Sequence, residues 1–182
     1  MAAKSKRKAR EAALRALYEI EVGGTDLDTA IEDAQEAAHL SQEMAAYAQR
    51  VVRGTIKHQQ ELDPALSDIV IDYDFNRLAA VDRNVLRIAA FELRFEPSVP
   101  AAVSIDEAIE ISRKFSTVES GKFVNGVLGK FLERFPKHYV EQPEPEQPDE
   151  PEAVEVVTEV VSEDSPEAAT ARKFGTWTIR NE

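Results

Sequence analysis

Residues 81–95, "VDRNVLRIAAFELRF", decide how the chain folds. On a helical wheel Val85, Leu86, Ile88, Ala89, Phe91 and Leu93 cover most of the circumference. A helix apolar on nearly every side has to be surrounded, so it is expected in the middle of a helical bundle. Its polar residues lie mostly on one strip, where Arg83, Arg87 and Arg94 line up with Ala90 between them. Such a strip reads as a salt-bridge edge or a protein interface rather than a nucleic-acid site.

On either side of that helix the same helical period recurs, and no stretch shows the alternation of a strand. Pro64, Pro97, Pro100 and Pro136 are the only prolines before the last forty residues, and they punctuate the segments. The chain is therefore expected to be all-α. Helices are expected over 5–22, stopped by Gly23-Gly24, then over 28–38 and 41–60. A short piece should open at Asp63-Pro64, with Asp63 as N-cap and proline in the first helical position. The apolar helix itself is expected over 76–95, followed by one opened by Ser104 and a last one opened by Ser120. In "SIDEAIEISRKF" (104–115), Ser104 and Glu107 have the spacing of a capping box, and Ile105, Ala108, Ile109, Ser112 and Phe115 trace an inner stripe.

The net charge of −12 is unevenly divided. Residues 1–140 hold 19 Lys/Arg against 22 Asp/Glu, whereas residues 141–182 hold 3 against 12. Two regions follow: a helical domain over 1–140 and an acidic tail over 141–182. The tail segment "QPEPEQPDEPEAVEVVTEVVSEDSPEAA" (142–169) has too little apolar surface to offset its ordering entropy and is expected to be disordered. The terminal "ARKFGTWTIRNE" carries the only tryptophan, Trp177, and reads as a mobile end or a docking peptide.

Several function classes lack their residues. The chain has no cysteine, so it can form neither a disulfide nor a thiolate metal site. No apolar run approaches the roughly 18 residues of a membrane span, and no apolar signal core follows the basic amino terminus, so a cytoplasmic location is expected. His39, His58 and His138 stand apart, without metal-ligand spacing. Asp106, Glu107 and Glu110 fit helix-terminus partners better than metal ligands, and Asp72 and Asp74 fit a solvated loop. Neither a catalytic constellation nor a metal or cofactor site is expected; the residues describe a binding protein.

Two stretches carry chemistry suited to RNA. The first fifteen residues hold Lys4, Lys6, Arg7, Lys8, Arg10 and Arg15 against Glu11 alone. On the wheel Lys4, Arg7, Lys8, Arg15 and Tyr18 gather away from the stripe of Ala13, Leu14, Leu17 and Ile20, with Glu11 among them. The second stretch is "SGKFVNGVLGKF" (120–131), whose inner stripe is Val124, Val127, Leu128, Phe131 and Phe135. Phe123 falls at the stripe's margin, beside Lys122, Gly126 and Lys130. A marginal aromatic beside lysines suits single-stranded RNA, the ring for a base and the ammonium for a phosphate. The same residues also suit close helix packing, with Phe123 plugging a core edge.

Four blocks, "KRKAREAALRALYEIE", "VDRNVLRIAAFELRF", "VPAAVSIDEAIEISRKFS" and "ESGKFVNGVLGKF", resemble the successive blocks of the NusB family of bacterial transcription antitermination factors. They span nearly all of residues 4–135 in the family's order, and the tail lies outside the pattern. The resemblance implies a compact helical domain of two small bundles. It also implies binding to the boxA element of nascent ribosomal RNA transcripts together with NusE, a ribosomal protein, so that the RNA polymerase antitermination complex reads through terminators. With the wheel, it assigns RNA contacts to Lys4, Lys6, Arg7, Lys8, Arg10, Arg15, Tyr18, Lys122 and Phe123. The central helix, with Asp82, Arg83, Arg87 and Phe91, is similar to the surface that meets NusE. A homodimer that masks the basic helix is a further state the family resemblance allows. A helical protein-interaction adaptor without RNA affinity is the alternative reading.

Overall fold

Local signals start several helices where the sequence places them. Asp26 accepts hydrogen bonds from the backbone amides of Asp28 and Thr29 at the head of one helix, and Ser41 accepts from Met44 at the head of the next. In the computed structural model, which describes residues 2–71 and 73–137 with side chains from Ser5 onward, these belong to seven α-helices. They are α1 (Ala2–Gly23), α2 (Leu27–Ala37), α3 (Gln42–Lys57), α4 (Gln59–Ser67), α5 (Ala80–Phe95), α6 (Ala101–Phe115) and α7 (Val118–Arg134). One 3-10 turn, Phe75–Arg77, precedes α5, and the described residues include no strand. Gly24, at φ +68°, takes the left-handed conformation that ends α1 at low cost only for glycine. The acidic tail and the Trp177 segment lie outside the described residues.

Helices α1, α2 and α3 pack on one another, and α4 to α7 form a second group in which α6 and α7 are paired. Helix α5 touches α1, α3, α4, α6 and α7. That position explains its apolar circumference: every residue from Asn84 to Leu93 is buried. Phe75, Leu62, Leu66, Leu86, Leu93, Leu128 and Phe131 are the largest side chains fully enclosed by the two groups.

Three expected helix starts differ, for one physical reason. Asp63 does not cap a helix, because its carboxylate accepts both Arg87 Nε and Nη2 at 2.7 Å. Pro64 therefore lies inside α4, while the chain bends one turn earlier, at His58. Ser104 is buried inside α6, which begins just after Pro100, and Glu107 reaches Arg7 rather than back to Ser104. Thr117, not Ser120, caps α7, and the Ser120 hydroxyl donates to Asp82 at 3.0 Å. In each case a tertiary partner outcompetes a local cap worth about 1 kcal/mol. The helix expected over 76–95 is likewise interrupted: Leu78 is extended, Ala79 is non-helical, and Arg83 Nη1 holds the break by donating to the carbonyls of Asn76 and Leu78. The inner stripe of α6 is rotated from the expected one, with Ile111 inside and Phe115 exposed.

Candidate nucleic-acid interface

Two ion pairs tie the basic face of α1 to α6. Arg7 grips Glu107 of α6 through Nε at 2.7 Å and Nη2 at 2.9 Å. One turn on, Lys114 near the end of α6 donates to Glu11 at 2.7 Å. The Glu107 carboxylate raises the pKa of Arg7 above its ordinary value against a smaller opposing effect of desolvation. The outcome is a face of alternating sign. Lys8 and Tyr18 are exposed, Lys6 and Arg7 half-buried, and exposed Arg15 pairs with Glu19 one turn away. The Lys4 side chain lies outside the described residues.

Arg10 does not belong to that face. It is 2% exposed and its Nε donates to Glu92 Oε1 of α5 at 2.7 Å, while the Tyr47 hydroxyl of α3 donates to the same oxygen. Burial is the largest influence and lowers the Arg10 pKa, but the charge and hydrogen bond of Glu92, together with Tyr47 and Glu107, leave it raised. Burial, reinforced by Glu92, pushes the Tyr47 phenol up, so Tyr47 stays a hydrogen-bond donor. Arg10, read as an RNA contact, is thus corrected to an internal tie joining α1, α3 and α5. The wheel carried a signal for this, since Arg10 lies outside the arc of Lys4, Arg7, Lys8, Arg15 and Tyr18.

The residues assigned to a protein partner are also largely engaged inside the fold. Phe91 is 4% exposed and Arg87 5%, which removes both from any accessible surface. Arg87 holds Asp63 of α4 and Glu21 of α1, at 2.7 and 3.3 Å. Arg83 pairs with Glu21 at 2.7 Å, and Asp82 accepts from Ser116 and Ser120. The strip on α5 is therefore a salt-bridge edge, with Arg94 paired to Glu61 at 2.7 Å.

At the opposite margin the second turn of α7 carries Lys122, exposed and, among the described residues, paired only with Glu119 of the same helix. Phe123 is half-buried against the core, and its ring meets that of Tyr73 edge-on, with centroids 6.2 Å apart at 83°. A Cβ added to Gly126 or Gly129 would meet nothing within 4 Å, so helix packing requires neither glycine. Gly121 does lie against a side chain, that of Arg113. Phe115 is a large exposed aromatic that the sequence pattern placed inside; Lys114 Nζ sits 4.8 Å from its ring centroid. Lys114 joins this aromatic to Glu11 of α1, so the amino-terminal face runs on to the end of α6, next to the start of α7.

The chain is similar to proteins already known. The transcription antitermination protein NusB of Desulforamulus reducens is 38% identical over 128 residues, covering 70% of this chain and 90% of that protein. The crystal form of T. maritima NusB is similar at a TM-score of 0.66 with 37% identity, over 70% of this chain and 90% of that one. A crystal structure of antitermination factors NusB and NusE in complex with dsRNA is similar at a TM-score of 0.67 with 25% identity, over 72% of this chain and 98% of that one. With the NusB family model matching residues 7–133 as well, the chain belongs to the NusB family.

Proposed function

We propose that the protein is a transcription antitermination factor that binds the boxA sequence of nascent ribosomal RNA transcripts together with NusE and supports read-through by RNA polymerase. It acts in the cytoplasm by binding, with no catalytic step. The observation that carries this reading is the arrangement of Lys6, Arg7, Lys8 and Tyr18 on α1 with Phe115, Lys122 and Phe123 on the α6–α7 hairpin. It combines cations for phosphates with aromatic rings, Phe115 exposed and Phe123 half-buried, for bases, the pairing that single-stranded RNA recognition uses. Membership of a family whose relatives bear the antitermination name supports it further.

The test is a titration of labelled single-stranded boxA RNA at several salt concentrations, with and without NusE. Replacing Lys6, Arg7 and Lys8 by alanine should weaken binding and flatten its salt dependence. At about 0.7 log units per phosphate contact, losing two or three contacts lowers the slope by roughly 1.4–2.1. Binding to NusE with no salt-dependent RNA affinity would favour a protein-interaction adaptor instead.

A further inference from the structure

We infer that the groove lined by Ile69, Val70, Ile71 and Tyr73 on one side and α7 on the other is a slot for one unstacked base of single-stranded RNA, with Tyr73 as its stacking wall and Lys130 as a phosphate contact. The inference rests on the RNA-binding reading above and deepens it, extending the margin at Lys122 and Phe123 by Tyr73 and Lys130. The groove has a volume of about 230 Å³ and is lined by Ile71, Tyr73, Lys122, Phe123, Gly126 and Lys130 among others. That is below the roughly 300–1,000 Å³ of pockets for drug-sized ligands, and suits a single planar ring system.

Three observations favour a base over other occupants. First, the fold leaves large apolar side chains in water here, with Ile71 82% and Tyr73 65% exposed. The Tyr73 and Phe123 rings stand at 83° and both line the cavity, so a planar ring that stacks on one meets the other edge-on. Second, the α7 wall is bare backbone at Gly126, where a side chain would find open space and alanine would give a better helix. Third, the rim is cationic. Lys130 has no partner among the described residues, and Lys122 has only the exposed Glu119. The two lysines are eight residues apart, or about 12 Å along the helix at 1.5 Å per residue. Phosphates on either side of an inserted base would thus each find an ammonium group.

The experiment is an anisotropy titration of the full chain with single-stranded boxA RNA, using wild type, Tyr73→Ala, Tyr73→Phe and Lys130→Ala. Tyr73→Ala should bind roughly 5- to 150-fold more weakly, the range for loss of one base–aromatic stack. Tyr73→Phe should bind like wild type, and Lys130→Ala should lower the salt slope by about 0.7. RNAs with one abasic site at successive positions complete the test: one position should weaken wild type while leaving Tyr73→Ala indifferent. Wild-type binding with full affinity in Tyr73→Ala overturns the slot alone. Absence of RNA binding by wild type overturns the antitermination reading with it. If Tyr73→Ala keeps RNA but loses NusE, the groove is a protein contact and the inference is wrong.

Discussion

Lys8 and Arg10 stand two positions apart on α1, carry the same charge, and have opposite surroundings. Lys8 is exposed, while Arg10 is enclosed and bonded to Glu92. Removing one partner of a buried ion pair leaves the other charge uncompensated, at a cost of about 3–5 kcal/mol. Arg10→Ala should therefore lower the urea midpoint severely, whereas Lys8→Ala should stay within roughly 0.5 kcal/mol of wild type. Equal stabilities would show that the Arg10–Glu92 pair does not hold α1 against α5. The contrast also bears on RNA experiments: a triple alanine variant that included Arg10 would lose binding through unfolding. At this scale the sequence pattern was only partly legible. A wheel ranks positions by angle, but it holds no record of the carboxylate that another helix supplies from 82 residues away.

Among elements, the same competition decides where helices begin. Asp63, Glu107 and Ser120 all have the local chemistry of helix starts, and each is held by an arginine or aspartate from another helix. The apolar period of α5 survives because its signal is spread over a dozen residues, whereas a cap depends on one side chain. Glycine shows a similar limit. Gly54 in α3 lies directly beneath the Phe91 ring of α5, so a Cβ there would fall well inside contact distance of the ring carbons. Nothing in the sequence near Gly54 reveals this, since its partner is remote. Gly54→Ala should destabilise the fold by about 1–3 kcal/mol, the range for overpacking a filled core. Gly126→Ala, on the open side of α7, should be neutral or stabilising by up to about 1 kcal/mol. Thermal unfolding of the two variants side by side checks the pair, and a tolerated Gly54→Ala would mean that Phe91 has room to move.

For the whole molecule, the all-helical architecture was legible because seven amphipathic segments leave few ways to enclose one fully apolar helix. The candidate interface was legible where charge and aromatic residues recur at the two ends of the helical domain, at α1 and α7. Tyr73 and Phe115 were not, because one sits in a loop without periodicity and the other on a stripe whose phase shifts by a residue. Charge balance supplies the last expectation. Residues 141–182 carry 12 acidic and 3 basic residues, and the RNA to be bound is itself a polyanion. Their repulsion reaches over a Debye length of about 30 Å at 0.01 M salt, but only about 8 Å at 0.15 M. Truncation after Tyr139 should therefore raise RNA affinity in dilute salt, and the advantage should shrink steadily as salt is added. Unfolding of the truncated chain should match that of the full chain, since among the described residues those that build the core end at Phe135. Equal affinities at low salt, with and without the tail, would show that its charge is kept away from the RNA path.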